Sequence, residues 1–412
     1  MKVSRFARVA IAFSVAATLY GAGYKLPEQS LNAVALAGAS VAHATEADTA
    51  YYNPAAMSFL DESNRIDGVL TLVHLPSIDF EGGQYLPVPP QGVFVKSNGS
   101  TRVENIPIAQ LHYVSAPFGN LRFGFSLATP GGLSKRWNNP IQKLFAEEFT
   151  LDIVEANPSF SYRLSDRFSI GGGVRILYAD GKVKSDGSDI GLVLSRDMHG
   201  DDFAVGYNLA VAFRPTDDIE LAATYRSKID MDIEGDAVIK AGIFKYKGDA
   251  EVKLPLPAAL TLAAAKTFDR LTVELVYERT FWSSYDKLDF GYDHILPVFE
   301  KPVEKMWSDS NAYRIGLTYK YSDKLTLMGG YAYDETPVSD ETIGYELLDS
   351  DAHIFSVGFR YAINDKLSCG AAILYDKKKS KSIEFGENKN GLFGKFDDGG
   401  ALLTSVGFSY RF

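Results

Sequence analysis

Residues 271–278 read Leu-Thr-Val-Glu-Leu-Val-Tyr-Glu, with apolar side chains at every second position from Leu271 to Tyr277 and Val276 as the one apolar residue between them. Successive side chains of a β-strand point to opposite faces, so this spacing predicts a strand with one apolar and one polar face, and helical spacing does not fit it. The same alternation, with one uniformly apolar face, recurs in residues 168–178, 203–213, 313–321, 355–361 and 406–412.

The positions between those apolar residues carry large polar side chains beside Gly and Ala. The large ones are Arg175, Asn208, Arg314, Lys320 and Arg360. Such residues suit the polar interior of a transmembrane β-barrel whose apolar face contacts lipid. A soluble β-sandwich would also alternate, but its inward face packs against a second sheet. The arrangement of the turns separates these two folds.

Short and long connections alternate along the chain. Tight turns bearing Asp, Asn or Pro are predicted at residues 117–120, 165–167, 215–218, 268–270, 322–324 and 364–366. Longer polar stretches lie at residues 78–101, 131–148, 184–200, 232–250, 286–305, 335–349 and 377–400. Bacterial barrels have tight periplasmic turns and long extracellular loops. The pattern therefore predicts an all-β fold, a transmembrane antiparallel β-barrel of about fourteen strands, an even number as such barrels require.

The composition of the 412-residue chain agrees with that fold. Hydrophobic residues make up 46%, yet past the N-terminus no segment approaches the roughly 20 consecutive apolar residues of a membrane-spanning helix. The 26 Phe, 23 Tyr and 36 Gly suit a barrel with aromatic girdles. A net charge of -10 argues against a nucleic-acid partner. One cysteine, Cys369, and six scattered His predict no disulfide, no metal site and no cofactor.

An export signal is predicted at residues 1–23. Basic residues within the first eight positions precede the apolar run 9–20 and three small residues, which is the layout of a cleaved secretory signal peptide. The alternative, a membrane anchor helix, requires a longer apolar run. We therefore expect the mature chain to begin at one of residues 22–24.

Residues 24–62 differ from the rest of the chain because they do not alternate. They are rich in Ala and Gly, have weak helical character and are too polar to cross a membrane. About 40 such residues at the periplasmic end of a barrel can fold inward as a plug, which we call the hatch. A disordered leader is the alternative, but Leu31, Val34 and Leu36 are apolar side chains that favour burial. The barrel is expected to occupy residues 63–412.

The last alternating segment ends on Phe412, after Val406, Phe408 and Tyr410. A terminal aromatic residue on such a strand resembles the signal read by the barrel assembly machinery of the outer membrane, which we expect as a partner. An ordinary edge strand would alternate as well, but closure of a barrel removes the unpaired edge and its aggregation hazard. We expect a monomer in the bacterial outer membrane.

Several short motifs occur in the order in which the FadL-type outer-membrane transporters carry them. Near the N-terminus, Asn53-Pro54-Ala55 resembles the hatch motif of that family. The downstream motifs lie at residues 129–133, 157–159, 224–227, 254–257, 282–285 and 312–315. Each motif alone is weak, but their common order over nearly the whole chain is specific. The chain is therefore similar to transporters of long-chain fatty acids and other hydrophobic compounds.

This resemblance implies a passive mechanism. A hydrophobic substrate lands in a groove of extracellular loops, enters the barrel, and leaves sideways into the bilayer through a gap in the wall. In the family the gap is an inward kink of the third strand, which here corresponds to Gly124, Phe125, Ser126 and Ala128. A regular strand carrying one ordinary Gly is the alternative. By the same resemblance, Asn53 would satisfy backbone groups that the kink leaves unpaired.

The capture groove is expected to consist of apolar loop residues, some of which have helical spacing. A helix that only covers the mouth of the barrel is the alternative. For a fatty-acid carboxylate, arginines of the lumen are candidate partners, although structural ion pairs explain such arginines equally well. The substrate-binding candidates are Leu133, Trp137, Ile141, Leu144, Phe145, Phe149, Ile243, Phe244, Arg175, Arg226 and Arg314.

These features favour passive transport of a hydrophobic small molecule over other functions. The expected substrate is a long-chain fatty acid, and an aromatic hydrocarbon is the open alternative. A general porin would lack the hatch and the apolar loop residues. An enzyme such as a lipase would need a nucleophile and a His in a recognisable context, and the six His show none. Outer-membrane lipid and lipopolysaccharide are expected partners, and the basic stretch at residues 377–381 could pair with their phosphate.

Overall fold

The computed structural model describes residues 23–43, 45–86, 92–294, 296, 298, 299 and 301–412. The expected signal peptide, apart from Gly23, lies outside the described residues. Fourteen antiparallel strands close into a barrel, as the sequence predicts. In chain order they are β1 (Arg65–Leu75), β2 (Glu104–Val114), β3 (Leu121–Arg136), β4 (Glu148–Arg163), β5 (Phe168–Asp186), β6 (Leu194–Thr216), β7 (Ile219–Arg226), β8 (Ala259–Phe268), β9 (Leu271–Thr280), β10 (Ser310–Lys320), β11 (Leu325–Asp334), β12 (Ala352–Ala362), β13 (Leu367–Lys378) and β14 (Gly400–Arg411).

The barrel closes because β1 pairs with both β2 and β14. Ile66, for example, lies opposite Tyr113 of β2 and opposite Tyr410 of β14. Closure leaves β1 and β14 without a free edge, which removes a usual site of aggregation. The alternating residues of β14 therefore belong to a strand with two neighbours and not to an edge.

The apolar face of the strands points outward and the polar face points into the barrel. On β6, Phe203 and Val205 are 65% and 66% exposed, whereas Asn208 is 2% exposed. On β9, Leu275 faces outward and its neighbour Glu274 is buried inside. The carboxylate of Glu274 accepts hydrogen bonds from three consecutive backbone N–H groups of the hatch. The alternation thus separates lipid contacts from lumen contacts, as a barrel in a bilayer requires.

The tight turns lie at one end of the barrel, and the long connections lie at the other. The turn between β2 and β3, for example, is closed by reciprocal backbone hydrogen bonds between Phe118 and Leu121. The turned end also holds Asn64, whose backbone bonds to Phe412 beside it. This end corresponds to the periplasmic side of a bacterial barrel, and the opposite end to the extracellular side.

Two stretches that the sequence predicts as loops are mostly strands. Residues 184–200 belong largely to β5 and β6, and residues 232–250 form a hairpin of two strands, Ile229–Ala241 and Phe244–Leu256. This hairpin pairs with the upper part of β6. Charged side chains such as Asp232 replace the apolar ones on its outward face, because the hairpin extends above the hydrocarbon layer. Hydropathy therefore fails to mark these strands.

The hatch lies inside the barrel. Its elements are helix α1 (Leu31–Ala35), helix α2 (Thr49–Tyr52) and a 3-10 helix (Pro54–Phe59). The hydroxyl of Ser30 caps α1 by accepting a hydrogen bond from the N–H of Ala33 at 3.1 Å. Pro54 begins the 3-10 helix, where its missing N–H is not needed.

Two wall glycines show how closely the hatch packs. A Cβ on Gly171 would lie 2.5 Å from the backbone nitrogen of Ala55, and a Cβ on Gly330 would collide with the backbone of Leu36. Any side chain at either position would push the hatch away from the wall.

Short elements cover the extracellular end. They are helix α3 (Pro140–Ala146), two 3-10 turns (Ser188–Ile190 and Trp282–Ser284) and the short strands Asp79–Leu86, Val93–Lys96, Gly99–Ser100, Lys287–Leu288, Phe290–Tyr292, Val303–Glu304, Lys381–Ile383 and Leu392–Asp397.

Candidate functional site

A groove opens among the extracellular loops around a cavity of about 250 Å³. Helix α3 forms one wall, and Leu144 and Phe145 of this helix line the cavity. Pro140 begins α3 at a position where its missing N–H costs nothing. Both lining residues belong to the proposed capture set. The remaining apolar and aromatic lining consists of Phe149, Leu288, Phe290, Phe299, Val303, Tyr345 and Leu392.

Phe149 is a third capture candidate within this lining, and the other apolar candidates lie outside it. Trp137 is fully buried, and its indole N–H donates to the backbone oxygen of Tyr345 at 3.0 Å. Leu133 and Phe244 pack into the same apolar cluster. Ile141 is half-buried on α3. Ile243 is fully exposed in the two-residue turn at the tip of the hairpin.

One cation lies among the apolar side chains of the groove. The guanidinium carbon of Arg196, on β6, lies 4.9 Å from the ring centre of Phe290 and 4.7 Å from that of Phe299. Arg196 donates to the hydroxyl of Ser185 at 3.2 Å, but within the described residues no carboxylate pairs with it and its buried Nε has no hydrogen-bond partner. A charged group in such surroundings favours an anionic partner.

The acidic side chain of the same lining is already engaged. Glu346 forms an ion pair with Lys305, which is buried behind it. Lys301 adds a second positive charge at the exposed edge of the cavity. The groove thus combines an apolar lining with a positively charged end.

A passage of small cavities continues from the groove into the barrel. A second cavity of about 40 Å³ shares Phe149 with the groove and lies among β4, β5, β6 and the hairpin. A third cavity of about 60 Å³ follows it: Leu254 lines the second cavity and Leu256, two positions along the same strand, lines the third. The third cavity touches the hatch and Pro130 of β3, and its lining is partly charged, since it includes the candidates Arg175, Arg226 and Arg314. Because these cavities are small, a substrate can pass only when lining side chains move.

The wall is interrupted between β2 and β3. Four residue pairs join these strands, from Val114 opposite Gly124 to Leu111 opposite Leu127. Beyond that point, residues 105–110 of β2 pair with β1, and no strand of the described chain pairs with their other edge. We call this interruption the window. Near the extracellular rim the two strands meet again, where Arg136 pairs with Glu104 at 2.5 Å.

The window exists because β3 bends inward at a β-bulge. The register of β3 with β4 shifts between Ala128 and Gly131, and residues 128–135 are all buried. A bulge inserts an extra residue and bends the strand. Pro130 suits this position because it has no N–H to pair. Gly131 allows close approach of the hatch, since a Cβ there would lie 2.6 Å from the backbone oxygen of Tyr24.

The interruption lies further along β3 than the resemblance implies. Gly124, Phe125 and Ser126 are regularly paired with β2, and of the four proposed residues only Ala128 borders the bulge. Gly124 instead leaves room for the hatch, because a Cβ there would lie 2.6 Å from the sulfur of Met57. Enlarging Gly124 would therefore disturb the hatch and would not fill the window.

Asn53 also has a different role from the one that the resemblance implies. Its side-chain amide donates to the carbonyl of Val41 at 3.0 Å and accepts from the N–H of Ala56 at 3.4 Å. Both bonds remain inside the hatch, where Pro54 and Ala55 continue into the 3-10 helix. The Asn-Pro-Ala motif thus fixes a turn of the hatch, and other hatch residues satisfy the bulge.

The chain matches known proteins in sequence. A family model described as outer membrane protein transport protein (OMPP1/FadL/TodX) matches residues 12–412. The chain belongs to this family. Among its FadL-type relatives is the long-chain fatty acid transport protein of Escherichia coli O6:H1, which is 23% identical over 81% of this chain and 82% of that protein. It is also 23% identical to outer membrane protein P1 of Haemophilus influenzae over 59% of this chain and 61% of that protein.

Solved structures share the fold of this FadL-family chain. A FadL homologue of Pseudomonas aeruginosa superposes with a TM-score of 0.81 over 95% of this chain and 100% of that one, at 22% identity. The toluene transporter TodX of Pseudomonas putida gives a TM-score of 0.69 over 93% and 98%, at 20% identity. At these identities the likeness concerns the fold and leaves the substrate open.

Family membership and the closed barrel place the protein in the bacterial outer membrane. The family consists of transport channels for hydrophobic compounds rather than enzymes. Within the described residues, no cluster of His, Cys, Asp and Glu could hold a metal ion. No helix in that part of the chain is long and apolar enough to cross a membrane.

The arginines proposed for carboxylate binding form ion pairs inside the barrel. Arg175 and Arg226 both pair with Glu155, Arg175 at 2.9 Å, and Arg314 lies 3.3 Å from Glu278. Removing one partner of a buried ion pair strongly destabilises the fold, because the other charge stays uncompensated. A substrate carboxylate would have to compete with these glutamates, whereas in the groove it would not.

The hatch separates this passage from the periplasm. On its periplasmic side lies a polar vestibule of about 720 Å³, lined by charged residues such as Asp323 and Lys366. Within the hatch, burial raises the pKa of the Glu28 carboxyl to about 7. A hydrophobic solute that followed the barrel axis would have to cross both the hatch and this polar space.

Proposed function

We propose that this protein carries long-chain fatty acids, or similar amphipathic carboxylates, from the groove through the passage of small cavities and releases them sideways through the window. The observation that supports this best is the line of cavities from the groove to the bulge of β3, with the hatch filling the barrel axis. Transfer of an acyl chain from water to hydrocarbon gains about 0.8 kcal/mol per CH₂, so no energy source is required. Lateral release delivers the chain directly into the membrane.

The charged end of the groove favours a carboxylate over a neutral hydrocarbon. An acyl chain could lie along Leu144 and Phe149 while its head group reaches Arg196. The carboxylate nearby, that of Glu346, is already paired with Lys305. The similarity to fatty acid transport proteins supports the same substrate. The alternative is an aromatic hydrocarbon, which the aromatic lining and the fold of the toluene transporters support. Such a substrate would leave the guanidinium unused.

Replacing Arg196 distinguishes these substrates. We expect Arg196→Met to lower the uptake of labelled oleate by about tenfold at low concentration, because a hydrogen bond to a charged group contributes about 1.5–3 kcal/mol. Uptake is measured in cells that lack other fatty-acid transporters, with and without this protein. Methyl oleate, which lacks the charge, should enter equally well through both forms.

A matched control is Lys184→Met, which removes an outward-facing charge from the neighbouring strand, where Lys184 pairs with Asp197. This variant should transport oleate normally. Equal losses of oleate and methyl oleate uptake in Arg196→Met would contradict recognition of a carboxylate. Failure of the unaltered protein to increase oleate uptake at all would refute the proposed function.

A further inference from the structure

At the bulge, the hatch occupies the edge of β3 that would otherwise pair with β2. The backbone N–H of Leu26 donates to the carbonyl of Pro130, and the N–H of Gly132 donates to the carbonyl of Tyr24, both at 2.9 Å. The opposite edge of β3 is taken by β4. Residues 24–26 therefore act as a substitute strand on the inner side of the window.

Gln29 lies at the point where β2 and β3 separate, and it is completely buried. Its side-chain amide donates to the carbonyl of Thr129 and accepts the N–H of the same residue, both at 2.7 Å. Its backbone carbonyl lies 2.7 Å from Nε2 of His112 on β2, so that nitrogen carries the proton. The other ring nitrogen of His112 lies 3.0 Å from the hydroxyl of Ser126 on β3. One hatch residue thus contacts both strands at their fork.

We propose that Gln29 is a positioning residue that holds β3 away from β2 and thereby keeps the window open. This inference rests on the proposed lateral release, for which the window is the exit. Buried backbone N–H and C=O groups require partners. Without the Gln29 amide, both groups of Thr129 lose theirs, and the unpaired edge of β2 offers replacements. Continuation of the existing register would bring Ala109 opposite Thr129 and close the window.

The chemistry of the side chain explains why glutamine serves here. A primary amide presents one donor and one acceptor side by side, as a peptide group on a neighbouring strand does. Glutamate has the same length but, when ionised, cannot donate to the Thr129 carbonyl. Leucine has a similar volume and can do neither. Gln29→Leu and Gln29→Glu therefore remove the interaction in two different ways.

The test measures closure of the window directly. Cysteines at Gln110 and Ala128, the next pair in the β2–β3 register, are introduced with Cys369→Ser, and the rate of disulfide formation is followed in membranes. A disulfide requires the two Cα atoms to come within about 7 Å. We expect slow formation with Gln29 and formation at least about tenfold faster with Gln29→Leu, because released strands can pair. Cysteines at Leu111 and Leu127, which are already paired, should react equally in both backgrounds.

The same variants are assayed for oleate binding by fluorescence and for oleate uptake. We expect Gln29→Leu to bind oleate normally at the groove and to lose uptake by about tenfold, as a closed exit requires. An unchanged cross-linking rate in an assembled Gln29→Leu barrel would overturn the positioning role. Faster cross-linking with normal uptake would support that role but refute lateral release. If Gln29→Leu fails to give a heat-modifiable barrel, the same measurements on Gln29→Glu decide.

Discussion

Deletion of residues 24–62 is expected to convert this transporter into an open pore for small polar solutes. The hatch fills a lumen whose wall carries ion-paired groups such as Arg175 and Glu155, and these groups would be solvated by water once the hatch is gone. A barrel of about fourteen strands is wide enough for an aqueous channel. In proteoliposome swelling assays, permeability to small sugars should rise from background by at least about tenfold, in line with that width.

A second way of displacing the hatch guards against failure of the deletion to assemble. Gly171→Val and Gly330→Val together would place methyl groups where the hatch backbone now lies, and the barrel strands themselves would remain intact. Gly329→Val is the control substitution, because a Cβ on Gly329 would meet only the backbone oxygen of Ser356, at 3.6 Å. Polar solutes that stay excluded from assembled barrels of both kinds would show that the hatch is not the axial seal.

Ala128→Trp is expected to block transport at the exit. Ala128 is the last paired residue before the bulge and is 1% exposed, so an indole there must occupy the space beside the window. A substrate tail would then have to pass between side chains packed at the density of a protein interior, and oleate uptake should fall by about tenfold or more. Uptake by cells is the measurement, and binding at the groove should be preserved.

The matched control for this variant is Ala371→Trp. Ala371 lies on the outward face of β13, which is fully paired with β12 and β14, so the same bulk should contact lipid and leave uptake unchanged. Normal oleate uptake through an assembled Ala128→Trp barrel would show that substrate leaves by another path.

Much of the fold follows from the sequence because a bilayer requires apolar side chains at every second position of each strand. Outward positions such as Phe203 and Leu275 must be apolar, whereas inward positions such as Glu274 can be charged. The alternation therefore identifies which side chains of a strand face lipid and which face the lumen. Turns bearing Asp, Asn or Pro then fix which strands are neighbours. The number of strands and their order can be predicted from the alternation and the turns alone.

The site is harder to predict because it depends on departures from that regularity. The bulge after Ala128 is a shift of register, and its local signal, Pro130 followed by two glycines, is equally typical of a loop, which is what the sequence predicts for residues 131–148. Gln29 is one polar residue among several in the hatch, and only the fold brings it to Thr129. Because Gln29 and Thr129 are 100 residues apart in the chain, no pattern of neighbouring residues predicts their contact.

Arg196 could have been found by extending the alternation beyond the membrane. On β6 it shares parity with Met198 and Ala204, which are buried, so it points inward. Residues 184–200 read as a polar loop because their outward side chains are charged. Where strands continue above the hydrocarbon layer, their outward side chains are charged and hydropathy no longer detects them. The groove residues on those strands are therefore missed.

The path of the substrate can be mapped most directly with a photoreactive fatty acid that carries a diazirine on its tail, activated while transport proceeds in native membranes. Mass spectrometry then locates the labelled residues. Capture and lateral release predict label at Phe145 and Phe149 in the groove and along residues 105–110 at the edge of the window. Label on vestibule residues such as Asp323 and Asn364, with none along residues 105–110, would show that the substrate crosses the hatch into the periplasm and would contradict lateral release.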